Sequence, residues 1–203
     1  MLSLVLASQS PRRQDLLAEV VGVPFEVKPL DIDETPLTSE KPRDYVMRIV
    51  REKAHGAFNK NPTKLSIVAD TIVAKGNCIL RKAKTRDEAF AQIQSLSGRR
   101  HHVLTALACT LPCKQHKRAC ISTLSIKLCQ ATVKVKNLSE KEIKGFVESD
   151  QWRNVAVYRI QNLFGSFVSW MQGHPSIILG LPLFETRQML LNHASYMLRE
   201  NAP

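Results

Sequence analysis

Two long runs with strand character, His102–Leu111 and Ala119–Lys136, flank a polar stretch around Lys114–Arg118. A connection that short joins antiparallel strands readily, whereas parallel neighbours need a crossover of about a dozen residues or more. The rest of the chain mixes shorter strands with helices and keeps no strict strand–helix–strand alternation. The pattern therefore points to a mixed sheet flanked by helices, an α/β or α+β fold around a cleft.

Local signals place the other elements. Leu2–Ala7 reads as a short buried strand, and Ser8-Gln9-Ser10 as a turn. Ser10 suits an N-cap and Pro11 a first helical position. Leu16, Leu17 and Val20 then form an apolar stripe, and Gly22 closes that helix. Pro24–Lys28 is a second strand, followed by a loop with Asp31, Asp33, Glu34 and Pro36. Pro42 opens a helix whose inner side carries Tyr45, Val46, Ile49, Val50 and Ala54. Leu65–Ala69 is an apolar strand, Asp70-Thr71 follows it, and Ile72-Val73-Ala74 continues as strand or hairpin arm to the Gly76-Asn77 turn. Thr85–Glu88 and Ser139–Glu142 are capping boxes that open helices ending near Gly98 and Val147. Ser176–Leu179 reads as a strand, and Pro182 as the start of a last helix running through Leu198.

At 203 residues, 44% hydrophobic and 23% charged, the chain has the length and apolar content of one ordinary domain, residues 1–203, or of one domain folded as two lobes around a cleft. No apolar run approaches the ~20 residues that span a bilayer. Leu2–Ala7 is too short for a signal-peptide core and is followed by arginines, so a cytoplasmic location is expected. The five cysteines, without a paired C-x-x-C, argue against a disulfide framework. Cys109, Cys113, Cys120 and His116 fit no standard zinc spacing.

The net charge of +11 favours a polyanionic partner. A nucleic acid and a small phosphate-rich ligand both satisfy it. With 6% aromatics and no basic stretch interleaved with them, the stacking platforms of single-strand binding are missing.

Four groups could carry chemistry. Ser8-Gln9-Ser10-Pro11-Arg12-Arg13 runs from a strand through a turn into a helix N-terminus, where free N–H groups and the dipole attract phosphate. The same residues also suit a capped helix with two solvated arginines. Asp70, beyond a buried strand, is placed to hold a metal or to draw a proton from water, or simply to form a turn. Asp31, Asp33 and Glu34 offer oxygens suited to Mg²⁺, or a solvated loop. Lys53 and Lys82 would join Arg12 and Arg13 in neutralising a triphosphate. His101 and His102 are adjacent on a strand, so they point to opposite faces and read as structural.

In combination and order these segments resemble the Maf family. Leu6-Ala7-Ser8, Ser10-Pro11-Arg12-Arg13, Asp31-Ile32-Asp33-Glu34-Thr35-Pro36, Arg51-Glu52-Lys53-Ala54 and Val68-Ala69-Asp70-Thr71-Ile72-Val73 carry the resemblance. Leu96-Ser97-Gly98-Arg99, Val103-Leu104-Thr105, Leu138–Ile143 and Gly180-Leu181-Pro182-Leu183 extend it, colinear over almost the whole chain. The resemblance implies an inosine-triphosphatase-like elongated mixed sheet in two lobes, commonly dimeric. It also implies hydrolysis of a nucleoside triphosphate to monophosphate and pyrophosphate with a divalent metal, Mg²⁺ or Mn²⁺. By the same analogy Asp70 is the general base, Glu34 and Asp70 bind metal, and Ser8, Arg12, Arg13, Lys53 and Lys82 hold phosphates. Arg12, Thr71 and Gln161 resemble the branch acting on dTTP and UTP; the branch acting on 7-methyl-GTP has Trp, Gln and Glu there. Gln carries the mixed donor and acceptor that a uracil or thymine edge requires.

The chain departs from the family at Arg81-Lys82-Ala83 and at Gly173-His174-Pro175. It departs most across Gln151–Asn162, where an acidic residue, a lysine and three glycines of the family pattern are replaced. That segment implies a reshaped base-recognition side. It leaves open a catalytically weakened, nucleotide-binding relative with a role in cell division. Charge alone would support a nucleic-acid-binding protein.

Overall fold

The computed structural model describes residues 3–111, 124–194 and 198. Seven strands form one mixed sheet: β1 (Leu4–Leu6), β2 (Phe25–Val27), β3 (Leu65–Lys75), β4 (Cys78–Leu80), β5 (Arg100–Thr110), β6 (Leu124–Val135) and β7 (Val168–Gln172). Their order is β2-β1-β3-β5-β6-β7, with β4 also on β3. The β1 pairings with β2 and β3 are parallel, and every other pairing is antiparallel. The expected hairpin of two long strands is the β5–β6 pair. Its connection lies outside the described residues, as do Lys114–Arg118 and the candidate zinc ligands Cys113, His116 and Cys120. Cys109 is fully buried on β5, and burial pushes its thiol up to about 12.

Among the described residues six α-helices cover the sheet: α1 (Pro11–Val20), α2 (Pro42–Lys60), α3 (Arg86–Leu96), α4 (Glu140–Glu148), α5 (Pro175–Leu179) and α6 (Leu183–Ala194). None of the described helices is long and apolar enough to cross a membrane.

Strand alternation in β3 sorts its side chains into three cores. Leu65, Ile67 and Ala69 pack with Leu16, Leu17 and Val20 of α1 and Met189 and Leu190 of α6. Farther along the same face, Val73 joins a second core built from Ile93 and Leu96 of α3 and Ile143 and Phe146 of α4, with Tyr158 and Phe164. Val68, Ile72 and Ala74 point the other way, against Val46, Ile49, Val50 and Ala54 of α2. The two lobes are thus two cores on one face of a shared sheet. Thr71 of β3 and its register partner Thr105 of β5 sit where the first core stops and the second begins.

Several local expectations change in the folded chain. Asp70 lies inside an unbroken 11-residue strand rather than beyond its end; antiparallel pairing with β5, Asp70 opposite Ala106, carries the strand through it. Ser176–Leu179 is helical, not extended. Pro175 occupies the first helical position, His174 Nδ1 accepts from the Ser176 N–H at 3.2 Å, and Gly180 at φ 102 closes the turn. The Ser10 side chain makes no capping bond; instead Ser8 Oγ accepts from the Ser10 N–H at 3.3 Å. The Ser139 capping box forms in both directions. In the other box Thr85 caps Glu88, but Glu88 reaches back to the Lys84 N–H rather than to Thr85. The last described helix, α6, runs to Ala194, and Leu198 bridges to Val21.

His101 and His102 do face opposite ways. His101 is 1% exposed and its Nε2 shares a hydrogen bond of 2.5 Å with the Tyr158 hydroxyl, while Nδ1 is buried without a partner among the described residues. Burial, reinforced by His102, pushes His101 down to about 4. Because this lies below the ordinary value of 6.5, the unfolded chain takes up the proton first as pH falls. Stability is then complete above pH ~6.5 and declines toward pH ~4, with His101 contributing roughly 3 kcal/mol to the decline. Urea unfolding at pH 7 and pH 4 should show that loss in the native chain and a visibly smaller one in His101→Gln.

Candidate active site

The site forms where β3 lacks a neighbour. β1 accompanies β3 only as far as Ile67, whose carbonyl accepts from the Ala7 N–H at 2.9 Å, and β4 joins it from Val73 onward. Between them this edge of β3 carries no strand among the described residues. By alternation, the main-chain groups of Ala69 and Thr71 face the resulting notch. The β1–α1 turn brings Ser8, Arg12 and Arg13 alongside it, and the loop after β2 brings Glu34.

Asp70 and Thr71 are consecutive on a strand, so they serve opposite faces. On the α2 face, Lys53 is 8% exposed. Its Nζ donates to Asp70 Oδ1 at 2.7 Å and to Glu34 Oε1 at 2.5 Å. A lysine is buried this deeply only when its charge is matched. Tyr45, also on α2, donates its hydroxyl to the Glu34 carbonyl at 2.8 Å and pins the loop. Burial pushes the Tyr45 hydroxyl up to about 12, and the charges of Asp70 and Glu34 add to this. Burial also pushes the Glu34 carboxyl up, but the bond and charge of Lys53, with Lys82 and Arg13, outweigh it and hold Glu34 below its ordinary range.

On the other face Arg13 spans three elements. Nε donates to the Gly180 carbonyl at 2.8 Å, Nη1 to Ser8 Oγ at 3.1 Å and Nη2 to Thr71 Oγ1 at 3.1 Å. Thr71 and Thr105 hydroxyls lie 2.9 Å apart, and Thr105 donates to the Ile177 carbonyl at 2.6 Å. That last bond fixes the direction of the chain: Arg13 donates to Thr71, Thr71 to Thr105, and Thr105 to Ile177. Gly180 sits at φ 102, where other residues are strained, and a Cβ would crowd Thr71 Oγ1 at 3.1 Å and Arg13 Nε at 3.3 Å.

The remaining expected residues lie around this centre. Lys82 is exposed on the segment after β4, near enough for its charge to act on Glu34. Arg12 is half-buried. Burial and the charges of Arg159 and Arg13 lower its pKa. Gln161 is exposed and makes no hydrogen bond to the cluster among the described residues. The structure adds Tyr45, Thr105, Gly180 and Arg159, which the sequence reading did not single out. Thr105 and Gly180 stand within segments that carry the family resemblance, and Arg159 is a cation where the family pattern has glycine.

The arrangement can bind a polyanion and present a carboxylate to it. Two hard oxygen donors, Glu34 and Asp70, converge on one cationic point, which suits Mg²⁺ or Mn²⁺ with further ligands from phosphate and water. No group of three or more metal-ligating side chains occurs among the described residues. Removing the Arg13 guanidinium would strand the Gly180 carbonyl and take away the donor that heads the threonine chain. Arg13→Ala should therefore lose about 1–3 kcal/mol of unfolding free energy, read from urea denaturation.

The model of the family described as Maf-like protein matches residues 3–193. A dTTP/UTP pyrophosphatase of Caulobacter vibrioides is 43% identical over 93% of this chain and 94% of its own. Another of Zymomonas mobilis is 42% identical over 94% and 91% respectively. Among solved structures, a nucleoside-triphosphatase / dITP/XTP pyrophosphatase of Mycobacterium abscessus aligns at a TM-score of 0.39 with 15% identity, covering 68% of this chain and 76% of that one.

Proposed function

This chain belongs to the Maf-like protein family, and from that premise we propose that it hydrolyses dTTP and UTP to the nucleoside monophosphate and pyrophosphate. The observation that carries the reading is the meeting of Asp70, Lys53 and Glu34 at a sheet-edge notch rimmed by Arg12, Arg13 and Lys82. Relatives above 40% identity over nearly the full length bear the dTTP/UTP pyrophosphatase name.

In this reading the triphosphate lies in the notch with its α-phosphorus facing Asp70. In the free chain one Asp70 oxygen is held by Lys53; in the complex the carboxylate accepts a proton from the attacking water. The water oxygen bonds to the α-phosphorus, the bond to the bridging oxygen breaks, and pyrophosphate leaves. Ser8, Arg12, Arg13, Lys53 and Lys82 hold phosphate oxygens, where fixed charges contribute most as negative charge redistributes. Glu34 and Asp70 would hold a divalent cation, which supplies further neutralisation of that charge. Arg13 enters already clamped, so its role is to place its outer N–H groups, and Thr71 acts on specificity through that clamp. Arg12 and Gln161 complete the specificity set, with Gln161 reading the pyrimidine edge. The same reading has a single-domain homodimer in the cytoplasm, acting on free nucleotides, with modified pyrimidine nucleotides as further candidate substrates.

Purified protein supplied with Mg²⁺ or Mn²⁺ should release pyrophosphate from dTTP and UTP in preference to the purine triphosphates. Asp70→Asn should lower that rate by about 10²–10⁴-fold with an unchanged circular-dichroism spectrum. Tight nucleotide binding without release from any triphosphate would instead support the nucleotide-binding relative.

A further inference from the structure

We propose that Lys53 holds the position of the divalent cation in the nucleotide-free protein, so that the metal binds together with the nucleotide rather than ahead of it. The inference rests on the pyrophosphatase reading for the identity of the nucleotide. Its own basis is the geometry of three side chains.

Lys53 Nζ stands 2.7 Å from Asp70 Oδ1 and 2.5 Å from Glu34 Oε1. These are carboxylate oxygens of the kind a hard divalent cation takes. An ammonium and a divalent ion cannot share that point. Asp70 is fixed by the β3–β5 pairing, and the Lys53 backbone by α2, whose Ile49, Val50, Ala54 and Ala57 are fully buried. The ammonium rides on a flexible four-carbon stem, and Glu34 is exposed on a loop. Exchange therefore needs only the end of the lysine to swing, with Glu34 yielding.

Charge decides when that exchange happens. Arg12, Arg13, Lys53 and Lys82 outnumber Glu34 and Asp70, so the cluster already holds excess positive charge. A bare divalent ion would add to that excess and also strip Lys53 of its partners. A triphosphate reverses both terms. Its oxygens offer the displaced ammonium new acceptors, and its negative charge balances the cations and the ion together. Metal and nucleotide thus assist each other's binding, and by linkage the assistance is equal in both directions.

Calorimetric titration of Mn²⁺ into the nucleotide-free protein tests this without turnover. The native chain should bind Mn²⁺ weakly. Lys53→Met should bind it about tenfold more tightly, and Mn²⁺ should raise the Tm of Lys53→Met more than that of the native chain. Lys53→Gln, with a polar end and no charge, should behave the same way, while Asp70→Asn in either background should abolish the gain. Equal or weaker Mn²⁺ binding by both lysine variants, each verified as folded by circular dichroism, would overturn the proposal. A native protein that hydrolyses no triphosphate while Lys53→Met still gains Mn²⁺ would remove the hydrolase reading and keep this one. Pyrimidine triphosphate hydrolysis with unchanged Mn²⁺ binding in the variants would do the reverse.

Discussion

An ammonium group can be kept out of water only where opposite charge meets it, and Lys53 meets two carboxylates. That one contact ties together three parts of the chain that are far apart in sequence: the loop carrying Glu34, the middle of α2, and the centre of β3. The gain from such a buried pair is modest once desolvation is counted, but removing one member leaves the other exposed to the full penalty. Each of the three elements is therefore constrained by the others. Tyr45 extends the constraint by fixing the Glu34 main chain from the same helix. The opposite face has its own constraint, the Arg13 clamp, and both converge on two consecutive residues of one strand.

That convergence is a consequence of sheet topology. β3 is longer than β1, and β4 begins several residues after β1 ends, so the edge at Ala69–Thr71 is left to other groups. The same stretch marks the boundary between two cores on one face. A polar pair of threonines there interrupts no hydrophobic cluster, since each core ends before it. A site placed in this way borrows rigidity from both lobes, and the Glu34 loop is held against it by Tyr45 and Lys53.

Much of this was readable in the sequence. The long hairpin, the mixed sheet, five of the helices and the buried stripe of α2 follow from patterning alone, because period and caps are local properties. The short strands β4 and β7 were not singled out, since runs of three to five residues take their state from whichever neighbour they pair with. The same cause misread Ser176–Leu179, where the proline and glycine at its ends set the backbone and outweigh its apolar run. Asp70 looked like a strand terminus because a carboxylate is unfavourable within an apolar strand; only Lys53, seventeen residues earlier, makes it tolerable. Ser8, Arg13, Lys53, Glu34 and Asp70 were named from motif and are brought together in space. Arg13 was expected to be a free phosphate ligand, and its clamp of Gly180 and Thr71 depended on a contact across 167 residues that no local pattern encodes.

The segment that departs most from the family pattern shows how a glycine-rich stretch can be replaced without opening the lobe. Positive φ is taken up at Asp150 (φ 54) and Asn154 (φ 58), residue types that tolerate it. Trp152, Val155, Val157 and Tyr158 then turn inward and are buried. Tyr158 stacks on Phe164 with ring centres 3.9 Å apart and bonds His101, so the segment is anchored in the α3–α4 core. Its one outward consequence at the site is Arg159, whose charge reaches Arg12. Two guanidiniums repelling one another cost stability in the free protein and are relieved by an anion between or beside them. On the proposed function the altered segment strengthens the phosphate-holding side electrostatically, and on the proposed exchange it enlarges the positive excess that keeps a bare metal ion out until a polyanion arrives.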